Sequence, residues 1–284
     1  MTNTKTNTDL RARRADVGDV ELEYWERGEG ETILLAHAGV FGEWFAPLFD
    51  EPALDGFHVV RVHRAGYRGS TRPDRQVTLA DHARHCCQLL RGLGVQRAHW
   101  VGHSSSGCIG IQAALDDPGL IASLVLLEPA PHPSGPSSAE LTERVVGPAM
   151  AAVGAGDFTL AADILLRGVD GPDYRDVVMA RLGNGALDRL VSDAMFFFTN
   201  EIRAAVEWQL DAERAARVTA PTLLAVGAET WRQTRMYEET AAILAEWLPA
   251  ARAVTVPGVS HGMPLQDPAS VAWLVAEFVG SNRS

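Results

Sequence analysis

Three cysteines are all that the 284 residues contain, Cys86, Cys87 and Cys108, two of them adjacent. They offer no framework of spaced pairs, so nothing suggests a disulfide-stapled secreted scaffold, and a reducing cytoplasm is the expected setting. Positive charge is also in short supply. Lys and Arg together number 25 against 36 acids, a formal net charge of −11. That balance argues against nucleic acid or an anionic membrane as the main partner. No apolar run approaches the ~20 residues of a membrane span. Met1 to Asp9 is rich in Thr and Asn and has no apolar centre, unlike a secretory signal. Internal repeats are lacking too.

What is present fits a globular chain with a sizeable core: 46% hydrophobic and 21% charged residues. The length suits one large domain, or one domain with an inserted part. Short apolar runs alternate with helical patterns, as in an α/β protein with a mostly parallel central sheet flanked by helices. Strands are expected over 20–26, 32–37, 57–62, 98–101, 124–128, 222–226 and 253–256. A helix over 78–93 is announced by Thr78 as N-cap with Asp81 three residues on. Others follow near 107–114 and 269–278. The rhythm breaks between 131 and 217. A Pro/Ser/Gly-rich linker opens that stretch, and helical patterns at 159–166, 174–182 and 186–210 fill it. The expected organisation is a disordered tail over 1–15, a core built from 16–130 and 218–284, and a helical cap inserted at 131–217.

The most informative residues are Gly102-His103-Ser104-Ser105-Ser106-Gly107, directly behind a buried strand. Strand, tight turn and helix in that order lift a serine hydroxyl out of the backbone. The turn needs small residues two before and two after the nucleophile. Ser104 has Gly102 and Ser106 there, whereas Ser105 has His103 and Ser106 has Ser104 and Cys108. Ser104 is therefore the candidate nucleophile, although a plain serine-rich helix cap explains the same letters.

A serine hydroxyl needs a base, the base needs a partner that fixes its tautomer, and the oxyanion needs backbone donors. The base candidate is His261, in the glycine-flanked loop after the last strand, on the sheet edge where active sites gather. Its plain alternative is a surface histidine. The oxyanion candidates are the N–H groups of Gly39 or Val40, in the loop His37-Ala38-Gly39-Val40, and of Ser105. An ordinary strand-to-helix turn is the alternative for that loop.

The elbow around Ser104, the His37-Ala38-Gly39 loop, the turn Arg64 to Ser70 and the terminal Gly258-Val259-Ser260-His261 together resemble the α/β-hydrolase superfamily. The resemblance covers about 20–278. It implies the α/β-hydrolase fold, a cap between the sixth and seventh strands, and no cofactor. In most such proteins the triad acid follows the seventh strand, at a position held here by Thr230. Glu229 lies one residue early. Glu128, closing the sixth strand, is a second candidate, since some members place the acid there. A glutamate ending a buried strand is costly to leave unpaired. The sequence thus offers Ser104, His261 and Glu128 as the triad, with Glu229 as the alternative acid.

A serine at the elbow is hard to reconcile with dehalogenase or epoxide hydrolase chemistry, which uses aspartate there. It fits hydrolysis of a small, largely apolar carboxylic ester or lactone through an acyl-enzyme. The rival readings are carbon–carbon bond hydrolysis of a diketone-type substrate and a binding or ring-forming role. Trp44, Phe45, Phe197 and Trp231 are expected to line the substrate pocket. His82 and His85 beside two cysteines read as part of a helix packed on the sheet, and no metal is expected. The expected partner is a small molecule, with homo-oligomerisation left open.

Overall fold

The computed structural model describes residues 11–130 and 135–282. Eight strands form one sheet: β1 (Arg13–Asp16), β2 (Glu21–Arg27), β3 (Thr32–Ala36), β4 (His58–Val62), β5 (Ala98–His103), β6 (Ile121–Leu127), β7 (Thr222–Gly227) and β8 (Ala251–Val256). Their order is β1-β2-β4-β3-β5-β6-β7-β8. β1 and β2 pair antiparallel, β2 meets β4 antiparallel, and every other pairing is parallel. The fold is that of an α/β hydrolase.

The middle strands read as unbroken apolar runs because helices cover both faces. β3 and β6 are buried along their whole length. One face packs Leu34, Val60, Trp100 and Leu126 under the helices Leu79–Gly92 and Ser105–Asp116. The other packs Ile33, Val59, Val101 and Val125 under the helix Pro268–Ser281. Each fully buried aliphatic side chain contributes about 1.5–3 kcal/mol relative to an exposed one. The helix Leu79–Gly92 opens with a reciprocal capping box: Thr78 accepts from the Asp81 N–H, and the Asp81 carboxylate accepts from the Thr78 N–H.

Two expectations are corrected. Arg13–Asp16 pairs in register with Tyr24–Glu21, so the tail expected through residue 15 gives way to a strand from Arg13. Residues 1–10 lie outside the described residues. The pattern over 186–210 is not one helix. It splits into Ala186–Phe196, a π-helical turn Phe197–Glu201 and Ile202–Glu207, and Trp208 is extended.

Between β6 and β7 no strand occurs among the described residues. Helices Phe158–Val169, Tyr174–Leu182 and Ala186–Phe196 pack with Ala38, Val40, Phe41 and Trp44, from the loop after β3. The insert therefore sits over the C-terminal edge of the sheet. Residues 131–134, in the expected linker, lie outside the described residues. No helix among the described residues is long and apolar enough to cross a membrane.

Candidate active site

β3, β5, β6, β7 and β8 all deliver their following loops to one edge of the sheet. Non-glycine residues rarely take positive φ, and such strain gathers at functional sites. Among the described residues four do so: Val40 (φ 67°), Arg68 (49°), Ser104 (52°) and Glu128 (43°). Val40, Ser104 and Glu128 follow β3, β5 and β6 respectively, so three strained residues stand side by side on this edge.

Ser104, with φ 52° and ψ −119°, stands between β5 and the helix Ser105–Asp116. Its N–H donates to the Leu127 carbonyl, and its carbonyl accepts from Gly107 and Ala130. The close approach explains Gly102, where a Cβ would lie 2.3 Å from the Ser106 carbonyl oxygen. Serine in place of glycine at 106 is accommodated with its hydroxyl in use: it donates to the His37 carbonyl and so ties the elbow helix to the loop after β3.

His261 is buried, and its Nδ1 lies 2.8 Å from Glu128 Oε2. The other carboxylate oxygen of Glu128 accepts from the Gly227 N–H at 2.7 Å and from the Thr230 hydroxyl at 2.5 Å. Thr230, at the position where most such proteins hold the acid, has become a donor to an acid brought from the neighbouring strand. Gly227 permits this crowding, since a Cβ there would lie 2.6 Å from the Val259 carbonyl oxygen. Burial pushes the Glu128 carboxyl up to about 7, against the donors Thr230 and Gly227, which favour the ionised form. Burial also holds His261 down at about 3, so its imidazole is neutral at physiological pH. With the carboxylate as acceptor, Nδ1 carries the proton and Nε2 presents a lone pair. Glu229 is turned elsewhere, 2.7 Å from Arg232, with its side chain 37% exposed.

The flanking histidines are structural. His37 Nδ1 donates to the Ala38 carbonyl, and Nε2 accepts from the Arg64 N–H. His103 Nε2 donates to the His261 carbonyl. His85 bonds Asp19, and His82 stands 3.9 Å from Glu201. Cys86, Cys87 and Cys108 are buried, and burial pushes each thiol up to about 12.

A cavity of about 410 Å³ opens onto this edge, lined by Ser104, His261 and the expected oxyanion residues Gly39, Val40 and Ser105. Trp44 and Phe197 also line it. Phe45 does not: it is fully buried between the sheet and the helix Pro268–Ser281. Nor does Trp231, which is 58% exposed beneath the Arg232 guanidinium. Both neighbour site residues in sequence, but each chain segment turns its aromatic ring away from the cavity. Among the described residues that line it, none is Asp, Glu, Lys or Arg.

Three parts of the site were not foreseen. Tyr237, on the helix Met236–Trp247, stacks on His261 with ring centroids 4.1 Å apart and planes 18° apart. Its hydroxyl is 3.2 Å from His261 Nε2. The insert's Glu201 is fully buried and accepts from Arg64 at 3.0 Å through both oxygens, from Tyr67 at 2.5 Å and from Ser105 at 2.6 Å. Asp170 is buried with Oδ1 unpartnered, and its carboxyl is pushed well above the usual range by burial and the nearby Glu128. The available signals were slight: a tyrosine in the first turn of a helix after β7, an acid just past the end of the helix Phe158–Val169, and a glutamate where the pattern over 186–210 breaks.

The fold and this edge define the class: the architecture is the α/β-hydrolase fold, and just under half of the chain matches the model of that family. The family model for the alpha/beta hydrolase fold matches residues 32–158. Among curated proteins, "Dihydrolipoyllysine-residue acetyltransferase component of acetoin cleaving system" of Cupriavidus necator is 32% identical over 118 residues, 40% of this chain and 31% of that protein. "Putative carbamate hydrolase RutD" of Variovorax paradoxus is 29% identical over 205 residues, 69% of this chain and 73% of that protein. The chain thus spans under a third of the first and about three quarters of the second. Among solved structures, the enol-lactonase from Burkholderia xenovorans LB400 superposes with a TM-score of 0.74 at 22% identity, covering 94% of this chain and all of that one.

Proposed function

We propose that the protein is a cofactor-free serine hydrolase acting on a neutral, largely apolar carboxylic ester or lactone. One observation carries the reading: a serine on a strained elbow shares a cavity with a neutral imidazole whose Nδ1 is held 2.8 Å from a buried carboxylate. Ser104 attacks the acyl carbon, and its proton passes to His261 Nε2. The N–H groups of Ser105 and of Gly39 or Val40 hold the oxyanion. His261 then protonates the leaving oxygen and later activates water, while Glu128 stabilises the imidazolium.

The substrate class rests on the lining. A carboxylate substrate bound in this cavity would lack a cationic partner, and an unpaired buried charge is expensive. Ring-cleavage products that carry a carboxylate therefore fit it poorly, which disfavours the carbon–carbon hydrolase reading. An aspartate-based dehalogenase mechanism is disfavoured by Ser104 itself. The chain's likeness to an enol-lactonase is in keeping with the ester or lactone reading, as a likeness of fold.

The test is labelling with a fluorophosphonate probe. Wild type is expected to label and to hydrolyse neutral p-nitrophenyl esters, Ser104→Ala to lose labelling, and Glu128→Gln to lose turnover by orders of magnitude. Labelling that survives Ser104→Ala would move the nucleophile elsewhere. Absence of labelling together with tight ligand binding would favour the non-hydrolytic role.

A further inference from the structure

The π turn of the insert touches both chain segments that carry the oxyanion donors. At its first residue, the Phe197 ring lies against Gly39, where a Cβ would be 2.5 Å from two ring carbons. At its last, Glu201 Oε1 accepts from the Ser105 hydroxyl at 2.6 Å. Such turns inside helices are frequent at functional sites. The same carboxylate reaches the loop after β3 through Arg64. Arg64 donates to both Glu201 oxygens at 3.0 Å, and its Nε donates to the His37 carbonyl at 3.0 Å. An unbroken run of hydrogen bonds thus leads from His37 through Arg64 and Glu201 to Ser105, and each of these residues is buried. A buried ion pair gives little net stability over an apolar filling of the same volume. What it supplies is fixed direction, because each partner must hold its place to stay satisfied.

We infer that Glu201 is a positioning residue for the oxyanion hole, setting the Ser105 N–H and the Gly39–Val40 segment at the spacing that the oxyanion needs. The inference rests on the hydrolase reading above. Glu201 touches no reacting atom. It acts on one donor through the Ser105 hydroxyl, and on the loop of the other through Arg64 and His37. Donors aimed at a developing charge work only when held in place beforehand, so a small shift of either segment weakens transition-state binding more than substrate binding. Tyr67 supplies the internal comparison. Its hydroxyl also donates to Glu201, but to Oε2, the oxygen that does not face Ser105.

The experiment compares full-length wild type, Ser105→Ala, Glu201→Gln and Tyr67→Phe on p-nitrophenyl butyrate, with folding followed by circular dichroism. The second readout is the Ki of a butyl trifluoromethyl ketone, whose adduct with Ser104 carries the oxyanion. Ser105→Ala keeps the backbone N–H and leaves the carboxylate its bonds to Arg64 and Tyr67. It should lose about 10-fold or more in kcat/KM, carried by kcat, and the ketone Ki should rise by a matching factor. Glu201→Gln should do the same, and Tyr67→Phe should stay within about threefold of wild type in both readouts. A folded Ser105→Ala or Glu201→Gln within about threefold of an active wild type overturns the inference. So does a rate loss that leaves the ketone Ki unchanged, or an equal loss in Tyr67→Phe. A Ser105→Ala that fails to fold marks the network as structural support and overturns it too. A wild type with neither fluorophosphonate labelling nor turnover overturns the hydrolase reading and the positioning role with it.

Discussion

Thr230 shows how a single residue retunes the site. With the acid moved to β6, the threonine hydroxyl and the Gly227 N–H hold the charge on Glu128 against burial, leaving its carboxyl at about 7. In the proposed mechanism the productive state has Glu128 ionised and His261 neutral, so activity should fall as pH drops below about 7. Thr230→Val removes one of the two donors and so favours the protonated acid. The acidic limb of the kcat/KM profile should shift to higher pH, with the plateau rate at alkaline pH nearly kept; a profile that stays in place would separate Thr230 from the acid. Thr230 was visible in the sequence only as the lack of an acid. Its role is a distance between β6 and β7, and the sequence does not carry that distance.

At the scale of elements, the elbow and the insert differ in legibility for a physical reason. The elbow is local. Small residues at fixed offsets from Ser104 are demanded by backbone contact with its own neighbours, and Gly102 and Ser106 show it directly. The strand runs and the Thr78 box are local too, and their bounds came within a few residues. The insert is not local. The π turn Phe197–Glu201 interrupts an amphipathic pattern, and it sits where Glu201 meets Arg64, Tyr67 and Ser105, residues over 90 positions away in the chain. The same limit explains Phe45 and Trp231, whose sequence neighbours could not say which way each ring faces.

Glu201 also joins the insert to the elbow. Its pairing with Arg64 holds the carboxyl at about 2 despite full burial. Glu201→Ala would leave the Arg64 guanidinium buried without its partner, at a cost of about 3–5 kcal/mol in urea unfolding. The sign with pH follows from the lowered value. The stabilisation from this carboxylate is complete above its unfolded value of 4.5 and disappears as pH falls toward about 2. The difference between wild type and variant should therefore shrink on acidification; a difference that grows instead would contradict the ion-pair account.

For the whole molecule, a cavity wall whose described residues carry no ionic side chains contrasts with an exterior that carries most of the formal charge of −11. A neutral guest feels little of that exterior field, so it arrives by diffusion and enters by partitioning from water into an oily chamber. Ordinary salt screens charges and leaves partitioning nearly untouched. With a neutral ester, kcat/KM should stay flat when sodium chloride rises from about 10 mM to about 300 mM, a range over which the Debye length drops severalfold. A steep fall would mean that capture relies on attraction between ions, which these walls cannot supply.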